Sequence, residues 1–156
     1  MSLGNIITGI VIQARNGSSR FPRKMMQKIN GKTILEWVLD RAGKARVDER
    51  VVVTSYLPED DEIEDIAKSK GWKVLRGHPT DVLSRYAKAT EFFGLDNVIR
   101  VTGDCPLIDP LVIDYALENF LQKDVDYLVT TKIIDGFNFE VMKGLSLIHI
   151  SEPTRP

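Results

Sequence analysis

The chain has 156 residues, 43% hydrophobic and 28% charged, with 21 Lys and Arg against 22 Asp and Glu for a formal charge of -1. A chain of this length buries about 70% of its unfolded surface as one domain, so it needs no disulfide or metal staple, and its balance excludes the disordered, collagenous and membrane classes. Nothing in the overall charge supplies a general grip on nucleic acid, and any polyanion contact has to come from a local cluster.

Ile6 to Ile12 is nearly continuous in apolar, β-branched residues, the pattern of a central strand covered on both faces, and it ends in a polar loop. After Asn30-Gly31, Thr33 and Glu36 form a capping-box pattern, and Leu35, Val38, Leu39 and Ala42 make one apolar helical stripe. Arg50 to Thr54 reads as a second short buried strand. Pro58 with Glu59, Asp60 and Asp61 suits a helix start, with Ile63, Ile66 and Ala67 on its inner face and Gly71 as its stop. The whole run Glu59-Asp60-Asp61-Glu62 is expected to be a solvated, dipole-matched helix start and not a cation site.

Trp72 to Leu75 reads as an edge strand, Thr80 as the cap of a helix carrying Leu83, Tyr86, Ala87 and Phe93, and Val98 to Val101 as another strand. Asp109 before Pro110 starts a helix with Ile113, Ala116, Leu117, Phe120 and Leu121 at helical spacing, and Val125 to Val129 is a further strand. Strands alternating with amphipathic helices imply a mostly parallel, three-layer α/β sheet. The domain is expected over residues 1–144. Residues 145–156 match no preceding element and are expected to be a non-native or disordered tail, since Ser146 to Pro156 reads like translated adaptor or vector sequence.

Cys105 is the single cysteine, which excludes a disulfide framework and any CxxC site, and no run approaches the roughly 20 apolar residues that span a bilayer. The N-terminus lacks the features of a signal peptide, so the chain is expected to be cytoplasmic and the sequon Asn16-Gly17-Ser18 accidental.

Ligands of an open parallel sheet bind beyond the carboxyl ends of the strands. The loop after the first strand, Gln13 to Lys24, places Arg15, Arg20, Arg23 and Lys24 around a Gly17-Ser18-Ser19 turn, where backbone amides converge on an anion and the cations offset a triphosphate. It is neither GxxxxGK[ST] nor GxGxxG, which removes the main support for an ATPase or a dinucleotide enzyme. A solvated basic loop with a hairpin turn at Asn16-Gly17 is the plainer alternative, weakened because Ser18-Ser19-Arg20 starts no alternating strand.

The second loop, Thr102-Gly103-Asp104-Cys105-Pro106, puts a carboxylate right after a buried strand. Asp104 is either a turn former or a magnesium ligand, and the nearby basic loop favours the metal. Asp109 reads as the N-cap, Cys105 as structural, Trp37 as core or interface, and His78 as a loop residue; His149 falls in the tail.

Ala14-Arg15-Asn16-Gly17-Ser18-Ser19-Arg20-Phe21-Pro22-Arg23-Lys24 together with Thr102-Gly103-Asp104-Cys105-Pro106-Leu107-Ile108 resembles the cytidylyltransferases that make CMP-sugars. The branch it resembles most is spore coat polysaccharide biosynthesis protein F; relatives activate sialic acid and the keto-deoxy-octulosonate of lipopolysaccharide. The likeness runs from about Ile7 to Met142 and includes Asp81-Val82-Leu83-Ser84-Arg85 and Asp135 to Val141.

It implies a Rossmann-like nucleotide-diphospho-sugar transferase fold and CMP transfer from CTP to a sugar acid with release of pyrophosphate, for surface polysaccharide. It further implies that Arg15 and Lys24 hold the CTP phosphates as the catalytic pair and that Ala14, Gly17 and Ser18 line the nucleotide through backbone. Arg20 and Arg85 would bind nucleotide, and Asp104 would bind Mg²⁺. CTP and a sugar acid are then the partners, with a homodimer as a candidate assembly and no nucleic acid or membrane. The family's domain continues past this chain, and a later carboxylate that completes the metal site falls outside it. A non-catalytic nucleotide-binding or oligomerisation module, and a nucleotidyltransferase of another base preference, are the alternatives.

Overall fold

The computed structural model describes residues 5–17, 20–130 and 137–151. The predicted first strand is β1 (Thr8–Gln13). A short 3-10 turn (Lys24–Met26) leads to a two-stranded hairpin of β2 (Lys28–Ile29) and β3 (Lys32–Thr33), then α1 (Ile34–Ala42). Asn30 and Gly31 both have positive φ, 50° and 79°, as a tight two-residue hairpin requires. The capping box is complete: Thr33 Oγ1 accepts the Glu36 N–H, and the Glu36 carboxylate accepts the Thr33 N–H.

Next come β4 (Glu49–Ser55), a 3-10 turn (Pro58–Asp60), α2 (Asp61–Ser69), β5 (Lys73–Gly77), α3 (Val82–Phe92) and β6 (Asn97–Thr102). The cap of α3 differs from the reading above. Asp81, not Thr80, accepts the Ser84 N–H at 2.9 Å, because a carboxylate one residue closer to the helix reaches the free amide. Asp109 caps α4 (Pro110–Lys123) as expected, accepting the Leu111 N–H.

The sheet order is β5-β4-β1-β6-β8-β7, where β7 is Tyr127–Val129 and β8 is Glu140–Lys143. The first four strands are parallel; β8 runs antiparallel to both β6 and β7. Residues alternate between the two faces as the pleat demands. Ile10, Ile12, Val52, Ile99 and Val101 pack against α1, α2 and α4, while Val11, Val51, Val53 and Val98 pack with Tyr86, Ala87 and Ala89 of α3. This is a three-layer α/β domain with a mostly parallel sheet. α5 (Gly144–Ser151) begins at the last residue of the expected domain and runs into the segment 145–156 read as a tail, and its Leu147 is buried among the α3-side residues; residues 152–156 lie outside the described ones.

β1 is flanked by β4 on one side and β6 on the other: the chain steps outward from β1 to β4 and β5, then crosses back to β6 on the opposite side of β1. That is the topological switch point, where the loops at the strand ends diverge and open a crevice. The register pairs Gln13 with Thr102, which sets the two candidate loops side by side.

Candidate functional site

At this crevice lies a cavity of about 580 Å³ lined by Gln13, Arg15, Gly17, Arg20, Phe21, Lys24, Met25, Thr102, Gly103 and Asp104. Its volume is that of a small-molecule site, roughly 300–1,000 Å³. Five of the eight predicted site residues line it: Arg15, Gly17, Arg20, Lys24 and Asp104. Ser18 lies outside the described residues. A second cavity, about 400 Å³, sits under α3 and α5 between Leu83, Tyr86, Tyr127 and Met142. It is mostly apolar, and of the charged residues on its wall, Arg100, Asp126 and Glu140, Arg100 is paired with Glu140 at 2.6 Å, so the cationic excess belongs to the first.

The two remaining residues stand behind the wall. Ala14 is fully buried, with its N–H donated to the Val53 carbonyl at 3.1 Å. Arg85 is fully buried too: Nη1 donates to the carbonyls of His78 and Pro79, while Nε and Nη2 have no hydrogen-bond partner. Arg15 Nη1 donates to the same Pro79 carbonyl at 2.5 Å, so Arg85 meets the cavity through the turn it shares with Arg15. Burial, and then the charge of Arg15, lower the Arg85 pKa below its ordinary value.

Three cations therefore face the cavity, not the four that the loop sequence offers. Arg23 turns away to Glu62, 2.5 Å from its carboxylate, on a left-handed backbone with φ 55°. Lys24 Nζ donates to Asp104 Oδ2 at 2.9 Å. Burial pushes the Asp104 carboxyl up, but hydrogen bonds to Lys24 and Thr102 and the charge of Lys24 outweigh it and hold the pKa below its ordinary 3.8. Asp104 is thus an ionised oxygen donor at the cavity wall.

Cys105 is buried beside Thr102, with Sγ 3.0 Å from Oγ1, and burial raises its thiol pKa. A thiol kept protonated is a poor nucleophile, which agrees with a structural role. His78 is a loop residue whose Nδ1 accepts the Thr80 and Asp81 N–H groups. Trp37 Nε1 donates to the Ile29 carbonyl and pins the hairpin to α1.

Residues 9–154 match the model of the Cytidylyltransferase family. The chain belongs to that family. Among curated relatives it is 39% identical over 132 residues to an uncharacterised protein of Methanocaldococcus jannaschii, covering 84% of this chain and 54% of the relative. It is 31% identical to the spore coat polysaccharide biosynthesis protein SpsF of Bacillus subtilis, covering 90% and 61%. With the 8-amino-3,8-dideoxy-manno-octulosonate cytidylyltransferase of Shewanella frigidimarina it shares 37% identity, covering 78% and 51%. The chain thus spans about half the length of these relatives. A solved cytidylyltransferase from Leptospira borgpetersenii superposes with a TM-score of 0.90 at 34% identity, covering 97% of this chain and 66% of that one.

Membership in the cytidylyltransferase family makes the chain part of an enzyme family, and both loops that carry the likeness meet at one cavity. Reading by residue type missed its uncharged walls. Gln13 and Thr102 were findable as the last residues of adjacent parallel strands; Phe21 and Met25 carry no signal beyond their nearness to Arg20 and Lys24.

Proposed function

We propose that this chain binds CTP at the β1–β6 crevice and carries the nucleotide half of a reaction that transfers CMP to a sugar acid and releases pyrophosphate. The observation that carries the reading is the convergence of Arg15, Arg20 and Lys24 with one ionised carboxylate, Asp104, in a single cavity. Three cations against one carboxylate suit a polyphosphate, and their fixed positions stabilise charge that develops on the phosphates. The sugar hydroxyl attacks the α-phosphorus, the bond to the bridging oxygen breaks, and pyrophosphate leaves; no covalent enzyme intermediate is needed.

Asp104 fits magnesium, which takes one or two carboxylates plus substrate phosphates and keeps several waters. No group of three or more His, Cys, Asp or Glu is placed to hold a metal among the described residues, so Asp104 would be the donor this chain offers the ion. When bound, the ion supplies Lewis-acid polarisation of the phosphoryl oxygens. Lys24 then exchanges its present contact with Asp104 for one with phosphate. Arg85 supports the nucleotide from behind, by holding the turn whose Pro79 carbonyl it shares with Arg15.

A sugar acid as acceptor is supported by the Shewanella relative, whose name gives 8-amino-3,8-dideoxy-manno-octulosonate, and a role in surface polysaccharide by the Bacillus one. The cytoplasm, where CTP is made available, is the proposed location; no helix among the described residues is long and apolar enough to cross a membrane. The test is pyrophosphate release from CTP on addition of sugar acids with Mg²⁺. Release that requires the sugar supports the proposal; CTP binding without release makes the chain a nucleotide-binding module instead.

A further inference from the structure

In the acidic run Glu59-Asp60-Asp61-Glu62, expected to be solvated, Glu59, Asp61 and Glu62 are exposed, but Asp60 is fully buried. Taking a carboxylate out of water is costly unless its oxygens are hydrogen-bonded. Asp60 Oδ1 accepts the backbone N–H of Asn16 at 2.7 Å, across 44 residues of sequence. Its other oxygen accepts the Ser55 hydroxyl, and Ser55 Oγ accepts the Leu57 N–H at 3.1 Å.

Asn16 is gripped from further directions. Its Nδ2 donates to the Glu59 carbonyl at 2.7 Å, and its own carbonyl accepts the Arg23 N–H at 3.2 Å, closing the basic loop on itself. Behind Asp60, Arg76 braces the turn with Nε on the Ser55 carbonyl at 2.7 Å and Nη2 on the Leu57 carbonyl at 2.8 Å. Asp60 does not line the cavity, yet it fixes the residue between Arg15 and Gly17, both of which do.

We propose that Asp60 is a positioning residue: its carboxylate holds Asn16, and through it Arg15 and the Gly17 turn, in the conformation that receives polyphosphate. This rests on the reading of the cavity as a polyphosphate site, and it makes a prediction of unusual sign. On charge alone, a carboxylate near an anion site repels the anion, so its removal should tighten binding. As a clamp, its removal releases the loop and weakens binding.

The test is calorimetric titration of Mg²⁺ with CTP, and separately with inorganic tripolyphosphate, into the wild-type chain, Asp60→Ala and Asp60→Asn. Asp60→Ala should weaken both ligands by about tenfold, the equivalent of one lost hydrogen bond that orders the loop. Asp60→Asn keeps an acceptor for the Asn16 N–H and should bind within about twofold of wild type, a rescue that a purely electrostatic role does not give. Binding by Asp60→Ala as tight as wild type, or tighter, overturns the proposal. Should Asp60→Ala fail to fold, Ser55→Ala decides, because it frees one carboxylate oxygen and should weaken tripolyphosphate several-fold; unchanged binding overturns the clamp. Wild-type binding of tripolyphosphate without preference for CTP, with Asp60→Ala still weaker, would leave the clamp standing and remove the cytidylyl reading.

Discussion

The Lys24–Asp104 contact joins the two roles that the proposed function assigns, a phosphate-binding cation and an ionised oxygen donor. Lys24→Ala should lower turnover on the order of 10²-fold, as loss of a preorganised charge stabiliser does. Pyrophosphate release measures it, and wild-type turnover would remove Lys24 from the reaction. The pair also has a pH signature. Because the folded pKa of Asp104 is depressed below 3.8, the carboxylate contributes stability above that ordinary value and loses it as pH falls through the lower, folded one. The side chains of Lys24 and Asp104 are 46% and 39% exposed, so the effect is small and screened by salt. Thermal melts of wild type and Asp104→Asn should differ most above about pH 4 and converge in stronger acid. Curves separated by the same interval throughout would show that the pair contributes nothing.

At the scale of elements, the loop after β6 approaches β1 as closely as glycine allows. A Cβ at Gly103 would stand 2.6 Å from Met25 Sδ and 3.1 Å from both Ala14 Cβ and the Gln13 carbonyl, while the Gly103 N–H donates to that carbonyl at 2.8 Å. Gly103→Ala should therefore cost about 1–3 kcal/mol in denaturant unfolding, as overpacking does, and should displace Asp104 as well. An unchanged midpoint would show that the loop yields freely.

Most elements were legible because their signals are local: the Thr33–Glu36 capping box, Pro110 behind Asp109, and the apolar run of β1. The hairpin at Asn30-Gly31 carried a strong short-range turn signal, the same dipeptide as Asn16-Gly17, but two-residue strands on either side left no alternation to count. β8 was invisible for another reason. Its four residues gain their meaning from antiparallel pairing with β6 and β7, a long-range choice that periodicity does not encode. Asp60 shows the same limit within the site. Four consecutive carboxylates look solvated, and only the fold reveals that one of them turns inward to Asn16.

For the whole molecule, a near-neutral chain concentrates positive charge where the topology opens its crevice. The parallel order β5-β4-β1-β6 makes that crevice, and the antiparallel pair β8-β7 extends the sheet away from it. The proposed function depends on one juxtaposition, the basic loop of β1 against the carboxylate after β6. Titration of CTP with Mg²⁺ into the wild-type chain and into Lys24→Ala tests it most directly. The account predicts one CTP site per chain, preferred over UTP, GTP and ATP and weakened at least about tenfold in the variant, as loss of a charge-assisted contact implies. Equal CTP binding by the two proteins, or no binding by the wild-type chain, would contradict it.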